Sequence, residues 1–274
     1  MKNRPKNLLP VLILVGLFFG LSITASATDS SKRGNWVNSP NGWWFECTDG
    51  TYPRNGLYEI DGIAYAFDSN GYMVTGWYYY YDNWYYFNSS GIMQKDWVYD
   101  TDSWYYLDPT YGYMYANSIF DIDGDYYGFS PSGRMITGWY KKTLYNSVTN
   151  SYQDLWYYFG SGGAAQNGWF WDNYFQNWFY FSNHQMLTGL YRIDNEIYYF
   201  DSSGQMTTGW QYILFSDTGS WYHFAPSGAA DKGWFWDTNW YYLDPNYRYM
   251  YADGSYLIDG ELHQFEEFGS WIPN

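Results

Sequence analysis

A motif of about twenty residues recurs from Trp36 to the end of the chain, and this self-similarity limits the possible folds more than any other feature. Units begin at Trp36, Leu57, Trp77, Trp97, Ile119, Trp139, Trp169, Leu190, Trp210, Trp234 and Ser255, eleven in all, with the first and last atypical. Most carry an aromatic pair, a turn, W-Y-Y-F or a variant, a Gly-containing loop, then Met or Ala, and often Thr-Gly. The unit from Trp77 to Asp96 reads as one β-hairpin. A run Trp77–Tyr81 meets a polar turn, Asp82-Asn83, and a second run Trp84–Phe87 follows. Strand side chains alternate faces, so Trp84 and Tyr86 share one face and Tyr85 and Phe87 the other. A lone hairpin cannot bury two aromatic faces and must stack on copies of itself. The expected fold is therefore all-β, a solenoid of about eleven stacked β-hairpin repeats.

A longer period overlies the first. Units at Leu57, Ile119, Leu190 and Ser255 lack the paired Trp, and two Trp-rich units separate each from the next. The order is A-B-C, with A at Trp77, Trp139 and Trp210, B at Trp97, Trp169 and Trp234, and C the Trp-poor type; the unit at Trp36 fits as a B. If three hairpins make one turn, each type lines its own face. Asp61-Gly62, Asp123-Gly124, Asp194-Asn195 and Asp259-Gly260 are two-residue hairpin turn signals. Apart from Met1, every Met (73, 93, 114, 135, 186, 206, 250) holds one repeat position, which Ala165 and Ala230 fill in two other units. A position restricted to Met and Ala is a packing position.

The first residues predict an export signal. Lys2, Arg4 and Lys6 precede a short apolar run, Leu8–Ile23, and a small-residue cleavage site, Ala25-Ser26-Ala27. The expected organisation is a signal peptide over 1–27, a short linker over 28–34 and one repeat domain over 35–274. No other segment is long and apolar enough to span a bilayer. Without Lys2, Arg4 and Lys6, 10 basic residues face 28 acidic ones, a net charge of −18. That excludes nucleic acid as a partner and suits a cationic or neutral ligand. Cys47 is the only cysteine, so packing must supply the stability. Aromatic residues make up 26% of the chain, more than a core uses, and the surplus predicts a binding surface.

The pattern Gly76-Trp77…Trp84-Tyr85-Tyr86-Phe87…Gly91-Ile92-Met93 resembles the choline-binding, or cell-wall-binding, repeats of Gram-positive surface proteins. The Trp-poor units, as in Leu57–Gly76 and Leu190–Gly209, are also similar to glucan-binding repeats of glucansucrases and to repeats of large clostridial toxins. The resemblance covers residues 35–274. It implies a left-handed solenoid with roughly three hairpins per turn. It also implies aromatic cages between successive hairpins, each made of the two Trp of one unit and a Tyr of the next around a quaternary ammonium.

Carried over by alignment, the A-to-B cages are Trp77, Trp84 and Tyr106; Trp139, Trp156 and Tyr180; and Trp210, Trp221 and Tyr242. One B-to-C cage is complete: Trp169, Trp178 and Tyr199. The other B-to-C junctions place Ala66, Gly128 and Gln264 at the third position and are expected to fail. Three or four competent sites follow.

Other constellations have simpler readings. Asp121-Ile122-Asp123-Gly124-Asp125 lacks the spacing of a calcium loop and aligns with a turn. His184, His223 and His263 read as isolated, and no nucleophile, phosphate-loop or zinc motif is present. No metal or cofactor is expected. The expected function is non-catalytic: a secreted, cell-wall-associated protein that binds choline-bearing teichoic acid or another wall polymer, with α-glucan as the alternative partner.

Overall fold

The computed structural model describes residues 32–215 and 218–273. The expected signal peptide lies outside the described residues, as does most of the expected linker. Among the described residues the chain is all-β, with 24 strands and no helix. They form eleven antiparallel hairpins, two of which take up a short third strand. The hairpins fall into two compact units, residues up to Val98 with Tyr106–Met114, and Tyr99–Tyr105 with Tyr115 onward. Each unit repeats the same local construction.

In the hairpin at Trp77 the strands are Gly76–Tyr80 and Asn83–Phe87, with Trp77 opposite Tyr86 and Tyr79 opposite Trp84. The turn is Tyr81-Asp82, one residue earlier than the expected Asp82-Asn83. Asn83 Nδ2 donates to the Tyr81 carbonyl at 2.8 Å, which keeps Asn83 in the ladder opposite Tyr80. Tyr81 and Asp82 both have positive φ, 45° and 59°, as a type I′ turn requires. The turns at Asp61-Gly62, Asp123-Gly124, Asp194-Asn195 and Asp259-Gly260 have the same positive φ pairs where the sequence placed them. Asp121 accepts from the Gly124 N–H at 3.0 Å, so it serves the turn.

The residue at or next to the end of each second strand points inward. Phe67, Leu107, Phe129, Phe159, Phe181, Phe200 and Leu243 are completely buried there, and Cys47 holds the same place in the first hairpin. Each such side chain contributes about 1.5–3 kcal/mol by leaving water. The Met or Ala that follows bridges back to this residue, as Met73 does to Phe67 and Met206 to Phe200. Its N–H donates to the second strand of the preceding hairpin: Met73 to Trp43 O at 2.7 Å, Met206 to Trp178 O at 2.9 Å, Met250 to Trp221 O at 2.8 Å. Successive hairpins are thus tied by backbone as well as by side chains.

The Met side chain meets a glycine of the next hairpin. A Cβ on Gly91 would lie 2.2 Å from Met73 Sδ, and one on Gly228 2.2 Å from Met206 Sδ. Gly204 over Met186 and Gly269 over Met250 repeat the contact. Where Ala replaces Met, no glycine follows. Two residues before the next Met stand His184 and Arg248, at φ 65° and 69°. The Arg248 N–H donates to Asp244 O at 2.9 Å, as the Gly112 N–H does to Asp108 O at 2.8 Å, so the loop backbone is the same. His184 Nδ1 lies 3.3 Å from Ala165 O, and the Arg248 guanidinium reaches Glu196 Oε2 at 3.2 Å. Met over Gly and Ala under a large side chain are two ways of filling one volume. This gives Ala165 and Ala230 a packing reason that is independent of any ligand.

Candidate ligand-binding junctions

The two Trp of a Trp-rich hairpin lie on one face, diagonally across the ladder. Trp77 and Trp84 are 6.5 Å apart at 85°, Trp139 and Trp156 6.4 Å at 77°, and Trp169 and Trp178 6.2 Å at 89°. Trp210 and Trp221 are 6.4 Å apart at 83°, and Trp234 and Trp240 6.4 Å at 87°. Five copies of one edge-to-face pair are thus built by one register. The second-strand member is always half-exposed, 38% at Trp156 and 43% at Trp84, so its indole face can meet a ligand.

The third ring comes from the residue before the one that alignment assigned. Trp139 meets Phe179 of the next hairpin at 4.9 Å, whereas Tyr180 packs on its own hairpin's Trp169 at 5.1 Å. Trp169 meets Tyr198 at 4.8 Å, while Tyr199 stacks on Phe224. Trp210 meets Tyr241 at 5.0 Å, while Tyr242 packs on Trp234 at 5.2 Å. Tyr106 likewise packs on Trp97 at 5.0 Å. The cause is strand alternation: Phe179 pairs with Phe170 and faces the preceding hairpin, while Tyr180 pairs with Trp169 and faces the following one.

The same one-residue step supplies rings where Ala66 and Gln264 had suggested none. Trp36 meets Tyr65 at 4.8 Å, and Trp234 meets His263 at 5.1 Å. Counting back two residues from the buried Phe or Leu of each second strand would have found all of these residues.

At the junctions after Trp139 and Trp210 the indole N–H meets a carboxylate. Trp139 Nε1 donates to Asp172 Oδ2 at 2.8 Å, and Trp210 Nε1 to Asp237 Oδ2 at 3.1 Å. Asp172 Oδ1 also accepts from the N–H groups of Tyr174 and Phe175. Burial opposes ionisation of Asp172, but the bonds from Phe175, Trp139 and Tyr174 outweigh it and hold the carboxyl below the usual range. Phe175, on the lengthened turn of that hairpin, adds a ring 6.2 Å from Trp139.

The last junction opens into a cleft of about 580 Å³ lined by Trp234, Trp240, Ile258, Asp259, Glu261, His263 and Trp271. Trp271 Nε1 donates to His263 Nδ1 at 3.1 Å, which leaves the imidazole proton on Nε2, 3.9 Å from Glu261 Oε2. His263 is therefore a wall of a cleft rather than an isolated ring. His223 is also partnered, with Nδ1 2.6 Å from Asp231 Oδ2.

An outer ring lies on most second-strand Trp. Tyr79 is 5.1 Å from Trp84, Tyr99 5.2 Å from Trp104, Trp171 5.5 Å from Trp178, Tyr212 5.3 Å from Trp221 and Trp236 5.3 Å from Trp240. In the hairpin at Trp139 the partner is a cation, with Lys141 Nζ 6.0 Å over Trp156.

The choline-binding repeat profile matches residues 55–87, 82–119 and 187–218, and a putative cell wall binding repeat profile matches residues 208–230. Residues 55–119 and 187–230 thus carry choline-binding, or cell-wall-binding, repeats. Among solved structures, this choline-binding-repeat chain is similar to CbpF, solved in complex with ipratropium. The identity is 24% and the TM-score 0.61, over 89% of this chain and 94% of that one. It is also similar to CbpJ of Streptococcus pneumoniae TIGR4, at 25% identity and a TM-score of 0.52, over 87% of this chain and 99% of that one. These neighbours share the stacked β-hairpin solenoid. A curated relative, Glucosyltransferase-S of Streptococcus mutans serotype c, is 28% identical over 234 residues, 79% of this chain. The chain spans 14% of that protein's length.

Proposed function

We propose that the chain is a secreted, non-catalytic binding protein that attaches to a bacterial cell wall through aromatic cages for choline of teichoic acids or a similar envelope group. The repeated edge-to-face Trp pair with a third ring from the next hairpin carries this reading. A quaternary ammonium against such rings gains about 0.5–2 kcal/mol per ring, and its methyl groups bury apolar surface in the same contact. The net negative charge favours a cation at every junction. Export through residues 1–27 is part of the proposal, as is the absence of an enzymatic role.

A second reading has its own observation. The exposed outer rings, such as Tyr99 at 58% and Trp236 at 60%, are platforms on which sugar rings of an α-glucan could stack. The relationship to Glucosyltransferase-S supports it. Chromatography separates the two readings. The protein is expected to bind a tertiary-amine resin and to elute with free choline. Passage through that resin, with retardation in a dextran affinity gel, would place the glucan reading first.

A further inference from the structure

The junctions are of two electrostatic kinds, and the kind follows the repeat order. Three residues after the opening Trp the B hairpins at Trp97, Trp169 and Trp234 carry Asp100, Asp172 and Asp237, and the unit at Trp36 carries Ser39, whereas the C hairpins carry Ile at the same position. In the hairpin that follows Trp139 this residue takes the indole N–H at 2.8 Å, and in the one that follows Trp210 at 3.1 Å. At the next junction Ile193 stands there instead, in the buried cluster against which Trp169 packs. Ile258 lines the cleft beside Trp234.

We infer that the carboxylate clamp makes the junctions after Trp139 and Trp210 more charge-selective than the Ile-backed ones, where the indole N–H is not given to a carboxylate of the next hairpin's first strand. The inference rests on the cage reading above. An indole whose N–H is given to a carboxylate is polarised toward its ring, so its face is a better seat for a cation. The carboxylate also sets a negative charge beside the cage, which favours a cation over a neutral ligand. An Ile supplies neither effect. The Asp172 oxygens are engaged by the indole and by two turn N–H groups, so this carboxylate acts through Trp139 and is a positioning and polarising residue.

The test uses the full chain and two probes of one shape, choline and its neutral carbon isostere 3,3-dimethyl-1-butanol. Both are titrated calorimetrically into the natural protein and into the double variant Asp172→Asn/Asp237→Asn. Choline binding at this class of junction is expected to weaken about three- to tenfold in the variant, with binding of the neutral isostere unchanged. An equal loss for both probes would show a merely structural clamp and overturn the inference. So would unchanged choline binding. Should the double variant melt early, Asp237→Asn alone carries the same comparison, because Asp237 is exposed at the hairpin tip. If the natural protein binds neither probe, the cage reading falls and this inference with it. If it binds both probes and the variant does not discriminate between them, only this inference falls.

Discussion

Gly228→Ala is expected to destabilise the protein by about 2–5 kcal/mol, from backbone strain at positive φ together with overpacking. Gly228 has φ +82°, and its missing Cβ would meet Sδ, Cε and Cγ of Met206 at 2.2, 2.6 and 2.9 Å. Three atoms of one side chain are in the way, so turning its end does not clear the space. Met206 is itself 9% exposed and packed with Ile193 and Phe200, which blocks a larger retreat. Met206→Ala alone should cost about 2–5 kcal/mol as a cavity. In the double variant the new methyl enters that cavity, so the two losses should fall short of additive by more than about 1 kcal/mol. Urea denaturation followed by far-UV circular dichroism gives the cycle. Strict additivity would contradict the complementary filling also inferred from Ala165 with His184 and from Ala230 with Arg248.

Trp156→Ala with Trp221→Ala should weaken binding at two junctions and leave the fold in place. Each lost ring weakens its cage by about 0.5–2 kcal/mol, or roughly two- to thirtyfold. The two side chains are 38% and 42% exposed, and the structural duty of Trp221, accepting the Met250 N–H at 2.8 Å, belongs to its backbone carbonyl. Calorimetric affinity for choline should drop while the melting temperature stays within a few degrees. Loss of cooperative melting in this double variant would mean that the Trp pairs are packing elements.

The architecture was legible because its signals are local and repeated. Asp-Gly turns, the inward Phe and the Met position each depend on a few neighbouring residues, and eleven copies in register remove the ambiguity of one. The Trp pairs were legible for the same reason. The third ring was not. In Trp178-Phe179-Tyr180-Phe181 adjacent residues are all aromatic, so composition cannot say which faces the preceding hairpin, and a one-residue step exchanges the faces. The Asp172 clamp was hidden in another way. It joins Trp139 to a turn 33 residues away, and Asp in a turn has a sufficient local explanation. His263 and Trp271 come together only because the final short strand, Trp271–Ile272, folds back onto the last hairpin.

The central claim is that the junctions hold a cation in aromatic cages, and intrinsic tryptophan fluorescence reads those rings directly. Titrating the full chain with choline, beside a parallel titration with a dextran oligomer, should give a saturable change with choline and none with dextran. A saturable response to dextran with no response to choline would contradict it.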